Sequence, residues 1–221
     1  MNHLLFGATG LIGSNVAKLI PENDLLFTVT RKPLHLNRKN HFNYVSPLDL
    51  GSLSKIEISA EIDAVYCCLG TTIKVAGSPE KFYEVDHDFV MNVAKLAEKV
   101  KAKKLIIISA LGANPKSPVF YNRVKGDMER DVLTVTPSIK QVVFLRPSLL
   151  LGDRSSLHQP TRFGEKIAIQ LTPIFSSLFI GPMKKYKPVP ATLIAKKMID
   201  SAHDSSQQMR SIILENESLI S

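Results

Sequence analysis

The chain has 221 residues, 44% hydrophobic and 22% charged, a composition that suits one domain with its own core and excludes disordered and collagen-like chains. Its formal net charge of +8 would attract phosphate polymers whatever the fold. The densest basic stretch, however, Lys95, Lys99, Lys101, Lys103 and Lys104, falls at the end of a predicted helix, where cations suit the dipole; no zinc-finger, basic-zipper or RNA-binding aromatic pattern accompanies it, so no nucleic-acid partner is expected.

Along the chain, hydrophobic runs alternate with helical patterns about every thirty residues, the rhythm of a parallel sheet covered on both faces. Strands are expected at about 3–7, 25–30, 42–46, 63–69, 104–109 and 141–146, with helices at about 11–20, 51–56, 83–100 and 118–133. Right-handed crossovers turn this into an α/β fold with a doubly wound parallel sheet, the Rossmann arrangement, whose ligands bind at the carboxyl ends of the strands. After Arg146-Pro147 the pattern breaks at Pro160, Pro173, Pro182, Pro188 and Pro190, followed by a helix near 190–202 and a strand near 211–215. Residues 1–221 are read as a single domain in which 147–221 form a small substrate-side cap and a closing helix and strand.

Cys67 and Cys68 are neighbours in the apolar run Ala64-Val-Tyr-Cys-Cys-Leu69. They read as core residues, since a bridge between adjacent cysteines is strained and no ligand spacing for a metal surrounds them. The first strand starts within a few residues of Met1, leaving no room for a leader, and no apolar run reaches transmembrane length. The cytoplasm is the expected compartment, without a membrane partner.

Strand one runs directly into Gly7-Ala8-Thr9-Gly10-Leu11-Ile12-Gly13 and then an apolar-periodic helix with Val16, Leu19 and Ile20. One glycine permits a turn closed to other residues, a second lets backbone approach a pyrophosphate, and a third allows close helix–strand packing. The helix N-terminus then offers N–H groups to the anion. Spaced glycines alone are a weak signal, but their place after the first strand of an alternating β/α chain supports dinucleotide binding by Gly7, Thr9, Gly10, Leu11, Ile12 and Gly13. Strand two ends Thr28-Val-Thr30-Arg31-Lys32-Pro33, with no carboxylate for a ribose 2′-hydroxyl. Arg31 suits a 2′-phosphate with its planar fork, so NADP(H) is the expected cofactor; the alternative is that Arg31 and Lys32 are solvated charges. Asp49 either meets the adenine or caps the helix at Gly51-Ser52. Leu69-Gly70-Thr71-Thr72, ending strand four, is either a close approach to the cofactor or a plain turn.

Strand five ends at Ser109, and Tyr121 and Lys125 follow on one face of the next helix. An ammonium beside a phenol favours the phenolate, drawing the tyrosine from about 10 toward the working range of a proton donor or acceptor. Ser109 is placed to hydrogen-bond a substrate carbonyl. A Tyr-x-x-x-Lys match is easily met by chance; its position relative to Ser109 and the glycine turn gives it weight against the reading of a half-buried tyrosine and a surface lysine.

With these motifs in view, the chain resembles the short-chain dehydrogenase/reductase superfamily in its atypical branch. More narrowly, Cys67-Cys-Leu-Gly-Thr-Thr72, Val85-Asp-His-Asp-Phe-Val90, Ile108-Ser-Ala-Leu-Gly-Ala113, Leu145-Arg-Pro147 and Leu151-Gly-Asp-Arg154 resemble the oxidoreductase group related to the Tat-interacting protein and epimerase-like NAD(P)H-binding proteins. The resemblance implies a Rossmann fold, NADP(H) binding, a catalytic set of Ser109, Tyr121 and Lys125, and Pro147 and Ser148, with Leu149, beside the nicotinamide. The function expected is NADP(H)-dependent hydride transfer to or from a small carbonyl or alcohol substrate. The alternative is an NADP(H)-sensing regulator that acts through a protein partner. Residues 73–80 and 154–187 are expected to line the pocket, with Phe82, Phe163 and Phe175 as apolar walls or core.

Overall fold

Three consecutive residues of β1 (Asn2–Phe6), Leu4, Leu5 and Phe6, are wholly buried, which only a strand covered on both faces requires. Leu4 and Phe6 enter one core while Leu5 enters the other, as the twofold alternation of a strand dictates. The pattern repeats in β4 (Ala64–Cys67), where Val65 and Cys67 face one core and Ala64 and Tyr66 the other, and in β5 (Lys104–Ile108), where Leu105 and Ile107 oppose Ile106 and Ile108. With β2 (Leu25–Thr30), β3 (His41–Val45), β6 (Gln141–Arg146) and β9 (Ser211–Glu215) they form a seven-stranded sheet in the order β3-β2-β1-β4-β5-β6-β9, every pairing parallel. The structure is a computed structural model and describes residues 1–152, 185–206 and 209–220.

Helices cover both faces. Helix α1 (Leu11–Leu19) and α7 (Ala191–His203) pack Leu11, Val16, Ile194 and Met198 on the side of Leu5 and Tyr66. On the other face α5 (Phe89–Lys99) and α6 (Phe120–Val135) bury Val90, Val93, Met128 and Val132 against Leu4 and Phe6, with the short α2 (Leu50–Leu53) nearby. The strand order reverses between β1 and β4, and a parallel sheet of this kind opens its crevice at the carboxyl ends there. The fold is thus the expected single-domain Rossmann-like α/β sheet.

Several elements went beyond the sequence pattern. The helix expected from residue 83 is preceded by α3 (Ile73–Ala76) and α4 (Pro79–Tyr83), each capped by a hydroxyl: Thr72 accepts from the N–H of Val75 and Ser78 from that of Lys81. A π-helical turn, Glu84–Asp88, joins α4 to α5. A two-residue pairing of β7 (Leu150–Leu151) with β8 (Val189–Pro190) and a terminal helix α8 (Asn216–Leu219) tie the last segment to the sheet. Arg146 joins α6 to β6 and β9, bonding both oxygens of Glu129 at 3.0 and 2.6 Å and Glu215 at 2.8 Å. Pro160, Phe163, Pro173, Phe175 and Pro182, and most of the expected pocket wall at 154–187, lie outside the described residues.

Candidate functional site

The glycine turn has the geometry its spacing foretold, for reasons that differ from one glycine to the next. Gly7 has φ +79°, in the left-handed region, and a Cβ there would sit 2.7 Å from the Cys68 carbonyl oxygen. A Cβ on Gly13 would lie 2.1 Å from the Gly7 carbonyl oxygen, so only glycine lets α1 begin this close to the turn. Gly10 is different: its φ of −85° and ψ of 170° are open to any residue, and what its missing side chain provides is space in front of the helix. No side chain caps α1, and its first turn carries no acidic group. The leading N–H groups of α1 therefore point out of the carboxyl end of the sheet beside half-buried Gly10 and exposed Thr9. An uncapped, uncharged helix start with room before it fits a dinucleotide phosphate; Leu11 and Ile12 are buried and contribute packing and backbone.

Arg31 and Lys32 are exposed past the end of β2, and Arg31 makes no hydrogen bond or ion pair with the described residues. Asp49 is exposed and caps α2 with both oxygens, accepting from the Ser52 N–H at 2.8 Å and the Ser52 hydroxyl at 2.7 Å, which holds its carboxyl below the usual value. Of the two alternatives for Asp49, the structure displays the capping one. The residue before it, Leu48, is buried at φ +73°, a strained conformation braced by Asn92, whose amide donates to the Leu48 carbonyl at 3.2 Å. Two open grooves, of about 500 and 600 Å³, lie at this edge, the first lined by Pro33, Leu34, His35 and His41–Val45 and the second by Glu22, Asn23 and Leu36–Asn40. Neither reaches Ser109, Tyr121 or Lys125.

Ser109 lies at the end of β5 next to Ile108, whose carbonyl Lys125 reaches from α6, and Tyr121 precedes Lys125 by one turn of α6. Ser109 follows β5, held by its N–H to the Leu145 carbonyl at 2.8 Å, and its hydroxyl is buried with no hydrogen-bond partner among the described residues. A buried hydroxyl without a partner costs about 1–3 kcal/mol. Lys125, 2% exposed, reaches from α6 to the carbonyl of Ile108 at 3.4 Å, one residue before Ser109. Tyr121, half-buried one turn earlier, stacks at a tilt 5.4 Å from the Phe82 ring, and its phenol is close enough to act on the Lys125 charge. Phe82 is wholly buried and serves as the floor under Tyr121 and Phe120.

Asp86 was missing from the expected set. It lies in the π-helical turn, 1% exposed, with Oδ1 2.8 Å from Lys125 Nζ and Oδ2 accepting the Thr71 N–H at 2.8 Å. Burial alone would lower the Lys125 pKa, but the Asp86 carboxylate, then the Tyr121 phenol and the Cys67 thiol, outweigh it and set its pKa above that of free lysine. Gly70 lies directly over this pair, a Cβ there being 3.4 Å from Asp86 Oδ1 and 3.9 Å from Lys125 Nζ. Leu69 is partly packed into the core, and Thr71 spends its N–H on Asp86. The only sequence signal for Asp86 was its place in Val85-Asp-His-Asp-Phe-Val90.

Pro147 continues the pairing beyond β6, its carbonyl accepting the Leu111 N–H at 2.9 Å, so it runs beside the Ser109 loop. Ser148 is anchored inward: its N–H donates to Asn216 Oδ1 at 2.7 Å and its hydroxyl to the Lys187 carbonyl at 2.6 Å. Buried Asn216, from α8, was also missed, since nothing in the sequence ties it to residue 148. Burial pushes the Cys67 thiol up to about 12, and both cysteines are free, as core residues should be. Among the described residues no His, Cys, Asp and Glu group is placed to hold a metal, and no helix is long and apolar enough to cross a membrane.

Comparison with solved structures agrees with this architecture. MoeE5 in complex with UDP-glucose and NAD superposes with a TM-score of 0.70 at 15% identity, covering 97% of this chain and 75% of that one. A short chain dehydrogenase family protein from Francisella tularensis subsp. tularensis SCHU S4 gives 0.67 at 13% identity, covering 100% of this chain and 99% of that one. At these identities the likeness shows the fold of the NAD(P)-binding epimerases and short-chain dehydrogenases.

Sequence comparison is narrower. The protein named FMP52, mitochondrial, of Eremothecium gossypii is 35% identical over 176 residues, 77% of this chain and 75% of that protein. Its namesake in Kluyveromyces lactis is 30% identical over 224 residues, 100% of this chain and 97% of the relative, and that of Saccharomyces cerevisiae 30% identical over 184 residues, 81% and 78%. These names overturn the expected cytoplasmic location; where the first strand starts and how long the apolar runs are carry no address. They also replace the narrower resemblance to the group of the Tat-interacting protein. The HIM1 family model matches residues 18–176, and on that match the chain belongs to the HIM1 family.

Proposed function

We propose that the protein is an NADP(H)-dependent oxidoreductase acting on a small carbonyl or alcohol. The observation that carries this reading is the buried Ser109 hydroxyl, without a partner among the described residues, beside the charged Lys125 and below the Tyr121 helix. A polar group kept unsatisfied at the carboxyl end of a parallel sheet suits a substrate oxygen better than it suits stability. A bound nicotinamide would supply or accept the hydride, held by the uncapped start of α1 and, through a 2′-phosphate, by Arg31. Ser109 donates to the substrate oxygen and orients it. Tyr121 gives its phenolic proton to that oxygen during reduction and takes it back during oxidation. Lys125 stabilises the resulting phenolate.

Supported by the names of its relatives, the mitochondrion is the proposed site of action. Fractionating cells that express the tagged chain tests this, and a wholly cytosolic signal would refute it.

The catalytic reading is tested with NADPH and an aldehyde such as a nitrobenzaldehyde. Tyr121→Phe should lower turnover about a hundredfold or more while NADPH affinity stays within about twofold, because only the transferable proton is removed. Full turnover in that variant would overturn the assignment of the acid.

A further inference from the structure

We propose that Asp86 is a positioning residue that clamps the Lys125 side chain between α6 and the Gly70-Thr71 turn, so that one buried carboxylate aligns the lysine with the cofactor side of the site. The inference rests on the part given to Lys125 in the proposed function.

Three observations converge on it. Both Asp86 oxygens are engaged in different directions, Oδ1 with Lys125 Nζ at 2.8 Å and Oδ2 with the Thr71 N–H at 2.8 Å. The side chain thus ties the end of β4 to α6 across the place where Gly70 overlies the pair. Oδ1 also lacks a well-directed hydrogen bond despite being buried, so its contact with the ammonium is mainly one of charge.

Local backbone explains how a carboxylate comes to be there. A regular helix through Glu84–Asp88 would advance about 100° per residue. The π-helical turn breaks that register, and such turns concentrate at functional sites. Glu84 and Asp88 stay exposed on either side, while Asp86 is 1% exposed.

The groups facing Lys125 leave Asp86 as its counter-ion. From α6 comes the Tyr121 phenol, from β4 the Cys67 thiol, which burial holds up at about 12, and from β5 the Ile108 carbonyl. Asp86 is the only carboxylate among the groups acting on Lys125. An unpaired buried lysine loses its proton several units below the ordinary value, so removing the carboxylate charge should bring Lys125 deprotonation to a lower pH, and above that midpoint the neutral amine neither stabilises a phenolate nor holds its orientation.

The test uses the full chain labelled with carbon-13 at lysine Cε, with the Lys125 resonance identified by its loss in Lys125→Met. In the wild type Lys125 should titrate above the free-lysine value of about 10.4; in Asp86→Asn its midpoint should fall by about two units or more. The alkaline limb of NADPH-dependent turnover with the nitrobenzaldehyde should move down by the same amount. An unmoved Lys125 midpoint overturns the proposal, as does a variant whose stability falls while the alkaline limb stays in place, the behaviour of a carboxylate that merely braces the fold. A wild type that titrates as expected but turns over no aldehyde counts against the proposed function and leaves the clamp standing. Should Asp86→Asn fail to fold, the double variant Asp86→Asn/Lys125→Met should recover cooperative unfolding, and failure to recover it overturns the proposal.

Discussion

The two ends of the sheet solve opposite problems with similar residues. At the amino end of the strands, the terminal amine of Met1 pairs with Asp24 at 2.7 Å, His3 Nε2 meets the same carboxylate at 3.0 Å, and His3 Nδ1 meets the Tyr66 hydroxyl at 3.1 Å. Because a carboxylate only accepts, Nε2 carries the imidazole proton and Nδ1 accepts from the phenol. Asp63 takes the Asn2 N–H at 2.9 Å and Lys103 at 2.6 Å, while Lys104 closes the end of α7 through the carbonyls of Ser201 and Asp204. Arg38 donates to the carbonyls of Ala17, Ile20, Pro21 and Asp24, leaving its Nε without a partner. At the carboxyl end the Ser109 hydroxyl has no hydrogen-bond partner among the described residues, Asp86 Oδ1 meets Lys125 by charge alone, and α1 starts without a cap. One end spends its polar groups on holding strands and helices together; the other leaves a buried hydroxyl and a helix start unsatisfied, which costs stability and is the arrangement the proposed function would use.

If that division is right, substitutions at the two ends should fail in different ways. The largest effect is expected at Gly10→Val. The φ and ψ there are open to any residue, but a Cβ would lie 3.2 Å from the Gly7 carbonyl oxygen, so the turn must give by a few tenths of an ångström, and the branched group stands before the α1 donors; folding of the variant is checked by its melting. NADPH binding, followed by nicotinamide fluorescence, should weaken a hundredfold or more, about 2.7 kcal/mol. Wild-type affinity in a folded Gly10→Val protein would show that the carboxyl end is not the phosphate site. A smaller effect is expected at Arg31→Ala, exposed and without partners among the described residues. Wild-type protein should prefer NADPH over NADH at least tenfold, about 1.4 kcal/mol, and the variant should lose most of that preference while melting unchanged. Equal wild-type affinities would remove the assignment of Arg31.

The smallest effect belongs to the amino end. Burial holds the His3 imidazole below its usual pKa despite the pull of Asp24. Below about pH 6.5 the unfolded chain therefore binds a proton that the folded protein refuses, and stability should fall as pH drops from there toward the depressed folded value. Asp24, whose carboxyl is held low by the terminal amine and His3 against its own burial, adds its loss only in more acidic solution, below about pH 4. His3→Gln should flatten the upper of these two windows, changing the pH dependence by on the order of 1 kcal/mol with NADPH affinity untouched. Urea unfolding at several pH values reads this directly, and an unchanged slope between about pH 6.5 and 5 in the variant would exclude His3 as its source.

Much of this fold was legible along the chain because its signals are local. Buried parallel strands must be apolar at consecutive positions, so β1, β2, β4, β5 and β6 stood out within a residue or two. The left-handed turn at Gly7 and the close approach at Gly13 demand glycine at those places, and the residue types and spacing of Ser109, Tyr121 and Lys125 were what singled them out for the proposed function. Other features depend on pairs of residues far apart in the chain. Asp86 reaches Lys125 across thirty-nine positions only because a π-helical turn rotates it inward, and nothing in Glu84-Val-Asp-His-Asp88 marks which of three carboxylates will be buried. Asn216 finds Ser148 and Lys187 only once β9 has docked on β6. Asp49 suited adenine or, as such residues more commonly do, a helix cap, until the fold placed Ser52 against both of its oxygens. Local backbone preference and hydrophobic period were therefore enough to set the elements and the phosphate turn, whereas the partners of buried charges were decided by tertiary packing, because the desolvation that makes such a pair matter exists only after the chain has closed around it.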